Sequence, residues 1–310
     1  MLFRSIVDAA AAAGAHAIKL QTYTADTLTI DAAREEFTIA EEGSLWKGRS
    51  LYELYQEAYP PWEWHKPIME RAHQRGIVCF SSPFDETAVD FLEDLQVPAY
   101  KIASFENVHL PLIRKAAATG KPLIISTGMA TLLELDDAVA AARAAGCRDL
   151  VLLKCTSTYP ATPENTNLAT IPDMKTRYAC EIGLSDHTMG IGTAVAAVAL
   201  GACVIEKHFT LARADGGVDS AFSLEPEELK ALVAETGRAA LAMGRVNYGP
   251  TEAEKKSLRF RRSLFAVRDI EAGEVFTAEN IRIIRPGYGL APKELDRVVG
   301  RRARVRIVRG

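Results

Sequence analysis

Two histidines are the first residues of this chain whose setting suggests chemistry. His187 lies in Gly183-Leu184-Ser185-Asp186-His187-Thr188, and His208 in Val204-Ile205-Glu206-Lys207-His208-Phe209. Each run begins apolar and ends abruptly in charged or metal-competent side chains. The histidines are 21 positions apart, with an Ala-rich helical stretch, Gly192 to Ala202, between them. That length suits one helix and its turns joining adjacent parallel strands. The two imidazoles should then sit side by side on one rim of a sheet. There they can hold a divalent metal, or serve as hydrogen-bonded structural residues.

Other apolar runs end in the same manner. They present Lys19 and Gln21, Ser81 and Ser82, Lys101 and Ser104, Ser126 and Thr127, and Ser157 and Tyr159, with Ser185 and Lys207 beside the histidines. Singly, each serine reads as a turn residue or helix N-cap. Gathered on one rim, several hydroxyls and lysines suit a phosphate better than an apolar ligand. A small phosphate-bearing anion is the expected substrate. Lys19 and Lys101 lie within strands, where solvation is no easy explanation of a charge. Glu106 could serve a substrate hydroxyl or cap the helix that follows. Asp215 and Asp219, in a Gly-rich loop, could contact a polar substrate or simply be solvated.

The elements that must position these residues form a rhythm. Residues 3–13 read as a helix closed by Gly14, and a strand covers 15–21. A polar excursion follows over 22–49, and then a helical stretch over 51–74, broken at Tyr59-Pro60-Pro61-Trp62-Glu63-Trp64. Further strands begin at 77, 99, 122, 150, 181 and 203, separated by helices. Seven strands alternating with helices predict parallel pairing with helical crossovers. The expected fold is an α/β (β/α)₈ TIM barrel whose first strand is missing. An open doubly wound sheet is the competitor, but no strand-to-helix turn carries a Gly-rich phosphate fingerprint. The pattern changes after Leu241. The expected division is a barrel domain at 1–245, a polar linker at 246–260 and a small β-rich domain at 261–310. Strands are expected there at 263–267, 281–285 and 305–308, the last cut short by the chain end.

Composition narrows the function classes. The chain is 310 residues long with a net charge of -3, which gives no overall pull toward nucleic acid or anionic membrane. Residues 261–310 hold 12 Arg/Lys against 6 Asp/Glu, so the preceding 260 carry -9. The basic end could bind RNA, but it lacks interleaved aromatics for stacking. Docking on an acidic surface, such as the main domain of another copy, is preferred. Five cysteines without a C-x-x-C pair, mostly in apolar runs, read as reduced and buried. No secretory signal or membrane-length apolar run is seen, so a cytoplasmic location is expected.

The strand ends resemble, run by run, the sialic acid synthase family, which condenses phosphoenolpyruvate with an N-acylated amino sugar. The matching runs are Lys19-Leu20-Gln21, Ser81-Ser82-Pro83-Phe84, Tyr100-Lys101-Ile102-Ala103-Ser104, Ile125-Ser126-Thr127-Gly128-Met129 and the two histidine runs. Arg261-Arg262-Ser263-Leu264, with Asp269-Ile270-Glu271-Ala272-Gly273-Glu274, looks like that family's antifreeze-like (SAF) domain. Pro61-Trp62-Glu63-Trp64-His65 and Gly216-Gly217-Val218-Asp219-Ser220-Ala221-Phe222 point to its pseudaminic acid synthase branch. Sialic and legionaminic acid synthases are the near alternatives, and a non-catalytic sugar- or phosphate-binding protein is the alternative of another class.

The resemblance implies roles residue by residue. Lys19, Ser82, Lys101, Ser104, Ser126 and Ser185 match phosphoenolpyruvate contacts. Lys19, Lys101 and Glu106 are the expected catalytic groups. Glu106, Ser157, Tyr159, Asp219 and Arg262 are expected at the sugar, Ser157 standing where sialic acid synthases usually carry Asn. His187 and His208, with Gln21 nearby, match the ligands of a divalent metal, Mn²⁺ in preference to Mg²⁺ or Co²⁺. A domain-swapped homodimer is implied, with Arg262 reaching a partner's barrel. The chain is expected to lack the family's first barrel strand, with its glutamate, and the last SAF strand.

Overall fold

A computed structural model describes residues 2–40 and 46–310; residues 41–45 of the expected polar excursion lie outside the described residues. The chain divides into two compact units, 1–244 and 245–310.

The first unit holds seven strands: β1 (Ala17–Thr22), β2 (Val78–Pro83), β3 (Tyr100–Ile102), β4 (Leu123–Ser126), β5 (Leu150–Cys155), β6 (Glu181–Ser185) and β7 (Ile205–Glu206). They pair in sequence order and every pair is parallel. Laid flat at about 4.8 Å per strand, β1 and β7 would stand roughly 29 Å apart. Instead Lys19 Nζ on β1 lies 3.0 Å from Glu206 Oε2 on β7. The sheet is therefore strongly curled, as in a TIM barrel. Among the described residues no strand bridges β7 back to β1.

The faces of the sheet follow the two-residue period of a strand. Tyr100, Ile102, Leu123, Ile125, Leu150, Leu152, Ile182 and Leu184 face outward and join helix residues such as Leu112, Ile113, Leu135 and Ile171 in the main core. Their neighbours must point the other way. Lys19, Gln21, Ser82, Lys101, Ser126, Cys155, Ser185 and Glu206 thus line the concave side. Local signals set the helices: Asp85 caps Glu86–Asp94, and Thr131 with Glu134 forms a capping box on Leu132–Ala144.

Some expectations need correction. The seventh strand, expected from 203, is reduced to Ile205–Glu206, so His208 stands in the loop beyond it. The longest helix, Pro226–Met243, was not among the expected elements; Glu225 and Glu228 form its capping box, and Pro226 pre-sets its first turn. The polar excursion holds a short helix, Ala25–Leu28.

In the second unit β8 (Ser263–Ala266) and β9 (Ile281–Ile284) form an antiparallel pair. Leu264, Ala266, Ile270, Ile281 and Ala303 are its core. The strand expected at 305–308 is only an isolated bridge, Ile270 to Ile307. Within the expected linker, Lys255–Phe260 is a 3₁₀ helix.

Candidate active site

At the centre of the concave face a carboxylate sits between two lysines. Glu206 Oε2 lies 3.0 Å from Lys19 Nζ, and Oε1 lies 3.6 Å from Lys101 Nζ. Ser185 donates a 2.7 Å hydrogen bond to Glu206 Oε1. Register explains the meeting: Ser185 pairs with Glu206 across β6 and β7, and Cys155 with Ser185 across β5 and β6, so all three share one layer. Burial pushes Glu206 upward, but Lys101 and Lys19 outweigh it and hold its carboxyl far below the usual range. Burial lowers Lys101 to about 8, against the pull of Glu206. One cation here is therefore only just held at neutral pH.

Around this triad lie hydroxyls without partners. Ser82 Oγ and Ser126 Oγ are buried and make no hydrogen bond. A buried hydroxyl without a partner costs stability and calls for an explanation, of which a ligand is one. Ser104 and Ser157 crowd the loop after β4: a Cβ on Gly128 would meet Ser157 Oγ at 2.1 Å and Ser104 Oγ at 2.8 Å. Asn107 clamps that loop, donating to the carbonyls of Ser126 and Gly128. Glu106 stands nearby. Burial raises its carboxyl to about 7, and Oε2 has no partner.

The histidine rings lie 5.3 Å apart between centroids. His187 Nδ1 is 2.9 Å from the Thr156 carbonyl, which can only accept, so Nδ1 carries the proton and Nε2 keeps its lone pair. His208 Nδ1 lies 3.3 Å from Asp219 Oδ2, which favours the same tautomer. Ring nitrogens engaged in this way leave their partners as metal donors. The pair fits a divalent ion on that ground. Among the described residues no three His, Cys, Asp or Glu side chains gather as a metal-binding group. Gln21, on the concave side of β1, is the candidate further donor. Tyr159 packs 4.5 Å from His187, and Phe222 5.0 Å from His208, walling the pair.

Known proteins resemble the chain over most of its length. The NeuB family model matches residues 6–248, and the SAF domain model matches 261–310. The chain belongs to the NeuB family. It is 46% identical over 297 residues to a pseudaminic acid synthase of Campylobacter jejuni, covering 96% of this chain and 86% of that protein. It is 43% identical to a pseudaminic acid synthase of Helicobacter pylori, covering 94% and 85%. A crystal structure of N-acetylneuraminic acid synthetase from Leptospira borgpetersenii, in complex with citrate, aligns with TM-score 0.73 and 32% identity, covering 84% of this chain and 85% of that one.

In this NeuB family member the strands bring Lys19, Lys101 and Ser185 together around Glu206. Ser185 is engaged by that carboxylate rather than left open. Asp219, expected at a sugar, lies against His208. Arg262 is exposed just before β8, in the second unit. Lys207 does not join the rim: its ammonium is buried against Asp186, 2.9 Å away. Two residues were missed. Glu206 carries the same signal in the sequence as Lys19 and Lys101, a charge inside a strand run. Cys155, expected to be reduced and buried, is so, but its Sγ lies 3.9 Å from His187 Nδ1. Burial raises that thiol, yet His187 and neighbouring hydroxyls bring it down to about 7.

No described helix is long and apolar enough to cross a membrane.

Proposed function

We propose that this chain is a pseudaminic acid synthase, condensing phosphoenolpyruvate with 2,4-diacetamido-2,4,6-trideoxy-L-altrose to give pseudaminic acid and phosphate. The identity of 46% to a pseudaminic acid synthase, running across 96% of the chain, carries the reading. The geometry supports it. Lys19 and Lys101 supply positive charge for the phosphate and carboxylate of phosphoenolpyruvate, and Ser82 and Ser126 offer free hydroxyls. Ser104 and Ser185 flank this cradle. Glu106, raised to about 7, stands at the balance point where a carboxyl can exchange a proton with a sugar hydroxyl. Ser157, Tyr159 and Asp219 are the further sugar contacts of this reading.

His187 and His208, with Gln21, would hold the metal, for which Mn²⁺ is our choice. When bound it supplies a Lewis acid. C3 of phosphoenolpyruvate adds to C1 of the open-chain sugar, water adds at C2, and phosphate leaves with C–O cleavage. The residues bind, orient and exclude water around that addition. The reading also takes 1–245 as the synthase domain, 246–260 as linker and 261–310 as a SAF domain that serves a partner's barrel in a homodimer, with Arg262 as the reaching residue. Its place is the cytoplasm, where phosphoenolpyruvate is made.

Phosphate release by the purified chain, supplied with Mn²⁺, phosphoenolpyruvate and the L-altrose sugar, tests the reading. No phosphate above the sugar-free control sinks it. Faster turnover of N-acetylmannosamine overturns the choice of sugar.

A further inference from the structure

We propose that the buried ion pair between Asp186 and Lys207 is a positioning device that sets the spacing of His187 and His208, and so the affinity for a divalent cation. The inference rests on reading the two histidines as metal ligands. Asp186 and Lys207 each immediately precede one of those histidines. By the two-residue alternation they point to the opposite face from Ser185 and Glu206, which meet on the concave side. There the Lys207 ammonium lies 2.9 Å from Asp186 Oδ2, with side-chain exposures of 3% and 0%. The contact is an ion pair rather than an aligned hydrogen bond, since Oδ2 finds no hydrogen-bond donor in register.

The pair is tied into the loop that carries His187. Asp186 Oδ1 accepts from Thr188 N at 2.9 Å and from Thr188 Oγ1 at 2.8 Å. Lys207 Nζ donates to the Thr188 carbonyl. A single lysine thus holds both ends of the turn on which His187 is mounted. The other histidine needs such a tether. β7 is two residues long, stands at the end of the strand order, and pairs with β6 only through Ile205 and Glu206. Beyond it the backbone is held by Asp186 N on the Glu206 carbonyl and Leu224 N on the His208 carbonyl, at 2.9 and 2.8 Å. Only the first of these reaches the turn that carries His187, and it does so at Asp186 alone, leaving the far end at Thr188 to the side chain of Lys207. The ion pair with its Thr188 contacts adds the side-chain tie between the two segments, on the face opposite Ser185 and Glu206.

Two buried charges are costly to place, and a hydrophobic pair of similar size is often no less stable. A role in geometry accounts for the charges where stability does not. Groups bonded directly to a metal ligand change metal affinity about 10- to 100-fold when altered, and a tether that acts through the backbone is expected at the lower end of that range.

The test is Mn²⁺ binding to the metal-free protein without substrates, followed by the electron paramagnetic resonance signal of free Mn²⁺. Phosphoenolpyruvate binding by calorimetry is the second readout. Asp186→Asn keeps an acceptor for Thr188 but removes the charge. The double variant Asp186→Asn, Lys207→Met removes both charges and leaves none unpaired. The expected result is Mn²⁺ affinity weaker by about 10-fold or more in both variants, with phosphoenolpyruvate affinity at the wild-type value. Wild-type Mn²⁺ affinity in a folded double variant overturns the proposal. So does failure of the double variant to fold, because the pair is then a stability element. Equal loss of both ligands overturns it too, because the damage is then general. His187→Ala with His208→Ala is the control: if that variant still binds Mn²⁺ like wild type, the metal reading itself fails, whatever the ion pair does.

Discussion

Replacing Glu206 by Gln should move an ionisation that governs substrate binding. Lys101 is fully enclosed and held near 8 because burial lowers it while Glu206 pulls it back up. At 3.6 Å, and with an effective dielectric of about 20, the attraction is ~4.6 kcal/mol, roughly 3 pH units at most. Glu206 is also shared with Lys19 and keeps 18% of its side chain exposed, so about half of that, ~1.5 units, is the realistic loss. The variant's Lys101 then titrates near roughly 6.5. If only the ammonium form holds the substrate's phosphate, the protonated share at pH about 7.5 falls from roughly three quarters to a tenth. Calorimetric Kd values for phosphoenolpyruvate, measured across pH for both proteins, give the check. Taking their ratio cancels the ionisation of the substrate's own phosphate. The ratio of variant to wild type should stay near 1 at pH about 6 and climb to ~8 at pH about 7.5. A ratio that is flat across this range refutes the claim that Glu206 keeps Lys101 charged.

Three further outcomes follow from the same site. Ser126→Ala removes a buried hydroxyl that has no partner, so the melting temperature should not fall, whereas the KM for phosphoenolpyruvate should rise about fivefold if the substrate supplies that partner. Gly128→Ala places a methyl 2.1 Å from Ser157 Oγ and should destabilise by about 1–3 kcal/mol in denaturant melts, with a weaker KM for the sugar. Glu106→Gln should remove an inflection near pH 7 from the wild-type kcat/KM profile. Because burial raises this carboxyl from 4.5 to about 7, its contribution to stability is present below the lower value and is lost as pH rises through the upper one. The Gln variant should lack that part of the decline in melting temperature.

Much of the barrel was legible because parallel strands buried on both sides announce themselves as short apolar runs. Pro122-Leu123-Ile124-Ile125-Ser126 and Leu150-Val151-Leu152-Leu153 needed no context to be read. The edge was less legible. β7 pairs only through Ile205 and Glu206, and a strand that short cannot be delimited by pattern. The helix Pro226–Met243 hid for another reason: Thr236-Gly237 interrupts its Ala-rich stripe, and propensity alone gives a weak signal. At 305–308, Val305 and Val308 suggest a strand, but one bridge to Ile270 is all that forms.

Residue types and spacing, by themselves, decided that two lysines, several hydroxyls and two histidines stand in or just beyond strand runs, because an apolar run is a local property of the chain. What each side chain touches was settled only by tertiary structure. The curl of the sheet brings Lys19 to Glu206 from opposite ends of the strand order, turning two isolated lysines and a carboxylate into one charge cluster. The inward or outward sense of each position sends Lys207 to Asp186 while its neighbours face the cavity. Sequence spacing has no access to either fact. Both depend on how the sheet bends and which face of it turns concave, and that is a property of all seven strands together.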